Sequence, residues 1–287
     1  MYINNKDLTK VLGNKNIKLI RPKLIFDELI ISFLNEIHKF CSKRNDAKIY
    51  PDLYTFSFWC REKNIRNLFR KYNDESLRIG RGLVLHITPS NVPMNFAYSF
   101  AFGILSGNYN IIRLPSKNFE QINILCSIIK TICNKKKYKE ILNYFLFIHY
   151  KRSDEISNFY SSISDARLIW GGDKTIEEFK KYKTQPRCVD LYFANRFSFS
   201  IIKPLELKKL SNKNYNNFIK NFYNDTYLMD QRGCSSPKLI VWNTSTKNIK
   251  IEKQIISKFW KDFENVVISN YDNDLSSTNK KISLLFN

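Results

Sequence analysis

From Gly80 to about residue 202, short apolar runs of strand length alternate with longer apolar runs of helical period. That alternation limits the folds open to the chain. Strand-like runs fall at 83–88, 110–114, 144–149, 166–170, 189–194 and 197–202, and helix-like runs at 94–105, from about 118 through 132, and at 174–182. Strands separated by helices are joined by right-handed crossovers and build a largely parallel sheet with helices on both faces. The punctuation agrees with this reading. Pro89-Ser90-Asn91-Val92-Pro93 closes the first strand, Ser106-Gly107-Asn108 stops the first helix, and Gly171-Gly172-Asp173 closes the fourth strand. The predicted class is α/β.

The flanks differ from this middle section. Residues 1–75 are predicted to be helical, because the run from Ile25 to Ile37 has a helix-period apolar face with Asp27 and Glu28 early in it, where acids suit the helix dipole. A second amphipathic stretch, 53–72, offers Phe56, Trp59 and Phe69 to the core. After the alternating section come a predicted helix at 205–223, a strand at 238–242, a helix at 249–263, a last strand at 265–269 and a polar tail. The chain thus divides into 1–75, 76–200 and 201–287.

Composition narrows the function classes. With 287 residues, 43% hydrophobic and 15% aromatic, the chain can bury a substantial core, and global disorder is excluded. The net charge of +21 invites a nucleic-acid partner, but the lysines are spread along the chain among Asn and Ile. A solvated surface explains that pattern more simply, and such a field also favours anionic substrates. The six cysteines form no C-x-x-C pair, and the three histidines sit beside none of them, so no zinc site is expected. Cys126 and Cys133 lie at helical spacing in an apolar run and read as core. The start is polar, with no signal-peptide pattern, and no apolar run reaches the length of a membrane span. The expectation is a reduced, cytoplasmic protein with neither a nucleic-acid partner nor a membrane span.

Chemistry-bearing residues gather in four loops at the carboxyl ends of predicted strands, where open α/β sheets place ligands. In the first, the Asn91 amide can donate to a developing oxyanion, although a helix N-cap or turn residue has the same local pattern. In the second, Arg113, Ser116 and Lys117 can hold a ribose or a phosphate. In the third, Gly171 and Gly172 expose backbone N–H groups at a helix start, a weak anion-binding signal without a G-x-G-x-x-G. In the fourth, Asp225-Thr226-Tyr227-Leu228-Met229-Asp230-Gln231-Arg232-Gly233-Cys234-Ser235-Ser236-Pro237, Cys234 follows a glycine among small polar residues. Such a turn can present a nucleophilic thiolate, whereas an ordinary buried cysteine is the alternative that spacing alone favours.

Taken in order, these blocks resemble one family. His86-Ile87-Thr88-Pro89-Ser90-Asn91-Val92-Pro93, then Leu105-Ser106-Gly107-Asn108 through Arg113-Leu114-Pro115-Ser116, then Trp170-Gly171-Gly172-Asp173, then Asp230-Gln231-Arg232-Gly233-Cys234-Ser235-Ser236-Pro237 are similar to acyl-CoA reductases of the LuxC type. These belong to the aldehyde dehydrogenase superfamily, and the resemblance covers residues 79 to 242. It implies an aldehyde-dehydrogenase-like fold: a helical amino-terminal segment (1–75), a Rossmann-like NADP-binding domain (76–200) and a partial α/β catalytic domain (201–287) carrying Cys234. It further implies that Cys234 attacks the thioester of a fatty acyl-CoA, or takes an acyl group from a partner, and that NADPH supplies hydride to the acyl-cysteine. Asn91 and the Cys234 backbone N–H would form the oxyanion hole. Arg113 matches the cofactor-ribose lysine, Ser116 and Lys117 would lie near the adenosine ribose, Lys117 would suit a 2′-phosphate, and Gly171 and Gly172 match the cofactor turn.

Two departures qualify the resemblance. Hydrolytic relatives carry a Glu-Leu-Gly-Gly block whose Glu activates water, and the matching stretch near Asp190 to Phe197 has none, which favours reduction over hydrolysis. The family's catalytic domain runs on well past the cysteine and supplies its oligomerisation arm, whereas this sequence stops at Asn287. The leading expectation is an NADPH-dependent acyl-CoA reductase, with a synthetase or transferase partner and a homo-oligomer as candidate associations. The alternative is a truncated remnant or split-enzyme fragment that binds nucleotide or acyl-CoA without turnover. A cysteine hydrolase pairing Cys234 with His86 or His149 is a further reading without a local signature.

Overall fold

The computed structural model describes residues 3, 5–15, 21–72, 76–228, 231 and 233–271, apart from the side chain of Thr246. The chain forms two compact units, Met1–Ala194 and Asn195–Asn287.

In the first unit the elements run β1 (Leu8–Gly13), α1 (Glu28–Lys43), α2 (Asn45–Lys48), α3 (Pro51–Trp59), α4 (Glu62–Tyr72), β2 (Leu83–Ile87), α5 (Asn95–Leu105), β3 (Tyr109–Arg113) and α6 (Glu120–Cys133). A 3-10 helix (Lys136–Tyr144) leads to β4 (Phe145–Tyr150), followed by α7 (Asp154–Ser162), β5 (Ala166–Trp170), α8 (Asp173–Lys180) and β6 (Val189–Phe193). The strands make one six-stranded sheet in the order β1-β4-β3-β2-β5-β6, and every neighbouring pair is parallel except β1 with β4. The expected α/β class and parallel sheet are what the chain adopts.

Strand periodicity sorts residues between the faces. Leu83, Leu85, Ile87, Ile111, Leu146 and Ile148 join the cluster that includes Ile156 and Tyr160 of α7 and Ile176 and Phe179 of α8. Ile112, Phe145 and Phe147 point the other way, into the larger cluster with α1, α3, α5 and α6. Helix α1 begins where Asp27 accepts from the Leu29 and Ile30 backbone N–H groups, and its Ile30, Phe33, Leu34, Ile37 and Cys41 are buried. Gly107 ends α5 at φ +73°, and a Cβ there would lie 2.1 Å from the Lys23 carbonyl oxygen.

The expectation of a wholly helical amino-terminal segment needs correction, because Leu8–Gly13 is a strand. It pairs antiparallel with β4, with an irregularity between Lys10 and Leu12, and only Leu8 and Leu12 point inward. Two inward residues leave little alternating pattern to read. Helix α7, capped by Ser153, also lacks a counterpart among the predicted elements.

The second unit contains β7 (Phe199–Ile202), α9 (Pro204–Lys209), α10 (Asn212–Thr226), β8 (Leu239–Trp242), the 3-10 turn Thr246–Asn248 and α11 (Ile249–Asn270). The single helix expected at 205–223 is interrupted at Leu210 and Ser211, where the Ser211 hydroxyl accepts from Asn214 N–H and caps α10. The strand expected at 265–269 is helical: α11 continues to Asn270, packing Phe259, Phe263, Val266 and Val267 on α10 and on Ile240 and Trp242. That packing overrides the β-branched run Val266-Val267-Ile268, whose strand preference is weak and depends on context. Strands β7 and β8 are parallel, with Phe199 opposite Leu239 and Ile201 opposite Val241. Ile202, Ile240 and Trp242 pack on the helices, whereas Phe199, Ile201, Leu239 and Val241 are each 40–62% exposed. The polar tail from residue 272 onward lies outside the described residues.

Candidate active site

In the first unit the candidate residues line the carboxyl edge of the sheet. After β2 the chain crosses to β3 and β4 on one side, then returns to β5 on the other. The loops after β2 and β5 therefore flank a topological switch point, the place where such sheets bind ligands. Thr88 donates to the Arg113 carbonyl at 2.6 Å, and the Ser90 and Ser116 hydroxyls lie 2.9 Å apart, tying the loop after β2 to the loop after β3. Asn91 is exposed in that loop. The N-cap of α5 is Met94, so capping is not the role of Asn91.

Arg113 ends β3 half-buried. Its guanidinium lies 4.4 Å from the centre of the Tyr150 ring and donates to the Tyr150 carbonyl at 3.4 Å. Ser116 and Lys117 are exposed beyond it. Gly171 N–H donates to the Phe193 carbonyl at 3.3 Å, extending the β5–β6 ladder by one bond, and Gly172 caps α8. A Cβ on Gly171 would come within 2.9 Å of the Thr175 side chain. The first turn of α8 also carries Asp173, whose negative charge opposes an anion at that helix start.

Beneath this edge lies a buried polar network. The Ser99 hydroxyl donates to His86 Nδ1 at 2.8 Å, and His86 Nε2–H donates to Asn110 Oδ1 at 3.0 Å. Asn110 Nδ2 donates to the Asn108 and Tyr144 carbonyls, which fixes the direction of the amide and hence the imidazole tautomer. Burial lowers the His86 pKa to about 4, and the Asn110 bond opposes that shift only in part. His86 thus has both ring nitrogens occupied inside the first unit, which removes it as the base for a cysteine hydrolase. His149 lies in β4 opposite Thr9 of β1, half-buried.

On β5, buried Arg167 clamps Asp190 of β6 through two bonds of 2.7 and 2.6 Å and donates to the Phe179 carbonyl at 2.9 Å. Burial alone would raise the Asp190 carboxyl, but Arg167 and the Tyr192 hydroxyl hold it below the usual carboxylate range. Asp190 is the only acid in the stretch where hydrolytic relatives carry their Glu, and it is already engaged.

In the second unit Cys234 follows α10 in a turn. Gln231, at φ +56°, donates its N–H to the Thr226 carbonyl at 2.9 Å. Ser236 N–H closes on the Gly233 carbonyl at 3.1 Å, and the Ser198 hydroxyl donates to the Cys234 carbonyl at 2.6 Å. Lys238 N–H then reaches the Ser198 carbonyl at 2.8 Å, so one residue before β7 holds both the cysteine and the start of β8. Met229, Asp230 and Arg232 of the motif lie outside the described residues. Cys234 is the one exposed cysteine of the six, which overturns the buried-cysteine alternative. Burial pushes the thiols of Cys41 to about 11 and of Cys126 and Cys133 to about 12, and it also raises Cys60 and Cys188.

Sequence reasoning missed the hydroxyl ties Ser90–Ser116 and Ser198–Cys234 and the Tyr150 seat of Arg113. Their partners are 26, 36 and 37 residues apart, and no local pattern signals such pairs. Among the described residues no His, Cys, Asp and Glu cluster can hold a metal, and no helix is long and apolar enough to cross a membrane.

A parallel sheet with polar loops at its carboxyl edge, followed by a second unit carrying an exposed cysteine turn, defines an aldehyde-dehydrogenase-like α/β protein. Solved structures agree on the fold. An apo betaine aldehyde dehydrogenase of Staphylococcus aureus matches 90% of this chain and 59% of its own at 13% identity and a TM-score of 0.56. An NAD-dependent benzaldehyde dehydrogenase of Corynebacterium glutamicum matches 92% of this chain and 65% of its own, at 10% identity and a TM-score of 0.57. A succinic semialdehyde dehydrogenase of Streptococcus pyogenes, solved with NADP+, matches 82% and 54% at 12% identity and a TM-score of 0.51. The chain therefore spans less than two thirds of the length of these relatives. No curated protein matches it in sequence. The chain belongs to the acyl-CoA reductase (LuxC) family, whose model matches residues 5–266.

Proposed function

We propose that this chain carries out the NADPH-dependent reduction of a long-chain fatty acyl-CoA to the aldehyde through an acyl-cysteine on Cys234. The observation that carries this reading is the exposed Cys234, whose backbone carbonyl accepts from the Ser198 hydroxyl in a defined turn while the other five cysteines are buried or half-buried. In this reading the Cys234 thiolate attacks the thioester carbonyl, and the carbonyl π pair moves to oxygen. The Cys234 backbone N–H donates to that oxyanion. Collapse of the adduct expels the CoA thiolate and leaves the acyl group on sulfur. NADPH, when bound, would supply a hydride to the acyl carbon, and the C–S bond then breaks to release the aldehyde and return Cys234 as its thiolate.

The residues present fit such a cofactor. Ser116 and Lys117 offer a hydroxyl and a cation for a ribose 2′-phosphate, Arg113 a second cation, and Gly171-Gly172 a turn without side chains that lets a ligand approach the backbone, with Asp173 beside it keeping anionic groups off the helix start itself. Engagement of Asp190 by Arg167 supports reduction over hydrolysis, since that carboxylate does not serve as a base for water. The acyl group comes from acyl-CoA or from an acyl-protein donor such as a synthetase or transferase partner, in a cytoplasmic, homo-oligomeric setting. A second reading is binding of nucleotide or acyl-CoA without turnover.

Labelled acyl-CoA followed by intact-mass analysis tests the proposal. One acyl adduct per chain is expected, lost in Cys234→Ala, with aldehyde appearing on addition of NADPH. A folded wild-type chain that never carries acyl refutes the catalytic reading, and NADPH binding without acylation supports the second.

A further inference from the structure

The β5 and β6 strands end with Trp170 opposite Phe193, and the two rings stack with centroids 3.7 Å apart and planes 5° from parallel. No other ring pair among the described residues lies as close. The Trp170 indole N–H is buried yet has no acceptor among the described residues. A buried donor left without an acceptor carries a cost, so hydrogen bonding is not what makes an indole useful here. The stacking area of its flat face is. Directly after the pair, Gly171 N–H bonds to the carbonyl of the same Phe193, and on its other side Gly171 abuts Thr175 of α8.

The need for such a clamp follows from where it stands. β6 is a sheet edge whose Val189 and Leu191 are exposed, leaving Tyr192 on its other face to pack on the cluster shared with α7 and α8. Arg167 and Asp190 pin the ladder near its start, and Trp170 and Phe193 pin its end. Any fraying of that end moves the Phe193 carbonyl, and with it the Gly171-Gly172 turn.

We propose that Trp170 and Phe193 are positioning residues for the cofactor: their stack holds the Gly171-Gly172 turn in the backbone geometry that faces the bound cofactor. The assignment rests on the cofactor reading above. It goes beyond that reading by naming residues that act through the backbone and touch no ligand.

The test is NADPH affinity by fluorescence titration of the full chain, alongside the rate of Cys234 acylation by labelled acyl-CoA without cofactor. Trp170→Ala is expected to weaken NADPH binding by about tenfold while leaving acylation unchanged, because only the cofactor turn is loosened. Trp170→Phe keeps a stacking ring and loses the idle N–H, and it is expected to stay within about twofold of wild type. Should Trp170→Ala fail to fold, Phe193→Leu provides the same comparison. A folded variant without the stack that binds NADPH as tightly as wild type overturns the proposal, as does equal loss of acylation and cofactor binding, which signals general damage. A wild-type chain that does not bind NADPH while Cys234 still takes acyl refutes the cofactor reading, and the positioning role with it.

Discussion

Burial takes the His86 imidazole from its ordinary 6.5 to about 4. Between those values the unfolded chain binds a proton that the folded chain refuses, so stability rises with pH across that window. The contribution is present in full above pH 6.5, falls as the pH drops toward 4 and is then spent, a span of about 3 kcal/mol. Urea unfolding at pH 7.5 and 5 should therefore show a lower midpoint in acid, and His86→Gln should flatten the difference. An unchanged slope in the variant would place its origin elsewhere. The same network makes Gly103 hard to replace. A Cβ there would meet Asn110 Oδ1 at 2.0 Å and the His86 ring at 3.0 Å. Alanine gains about 1 kcal/mol of helix propensity, but overpacking costs about 1–3 and the broken His86–Asn110 bond about 1 more. Gly103→Ala should lower the thermal midpoint, and a rise would mean that α5 yields more readily than the contacts suggest. None of this was legible in the sequence, where His86 was one residue of a motif and Gly103 a glycine inside an apolar helix.

Elements were legible where each carried its own signal. β2, β3 and β4 are mostly apolar and lie between breaks in the pattern, so strand length and punctuation identified them. β1 and the end of α11 failed for opposite reasons: β1 exists because β4 offers it an edge, and the end of α11 is helical because α10 offers it a surface. In neither case does the local run decide. The second unit makes the point energetically. Its cluster of buried residues is Ile202, Leu207, Ile219, Phe222, Phe259 and Phe263, and Phe259 touches the rings of Phe218, Phe222, Trp242, Trp260 and Phe263. Phe259→Ala should cost about 3–5 kcal/mol, large for so small a core. Limited proteolysis should then cleave within 195–271 while leaving the first unit intact. Equal resistance in the variant would show that the cluster does not hold the unit together.

For the whole molecule, the family and fold were readable from four short blocks in the right order: three include the end of a strand, and the Cys234 block lies in the turn between α10 and β8. Reactivity was not readable in the same way. Local spacing favoured a buried Cys234, and its exposure follows from Ser198 and the Gly233–Ser236 turn. The net charge of +21 acts at this scale too, and in the proposed reaction it would draw an anionic acyl-CoA toward the chain. Acylation of Cys234 should therefore slow as ionic strength rises, and a rate indifferent to salt would exclude steering by the overall field.

The exposed apolar side of the β7–β8 pair meets that charge in a further way. A short parallel sheet with one dry-natured face turned to water is a colloidal liability, and mutual repulsion between +21 chains is what opposes its contact with a second copy. Added salt shortens the reach of that repulsion to about 10 Å at 0.1 M and leaves the attraction untouched. Light scattering should show the chain dispersed at low ionic strength and clustering as salt is added. Ile201→Lys, at a site already 62% exposed, should restore dispersion at little cost to folding. The property decided by these four side chains is thus the salt concentration at which the protein remains a solution.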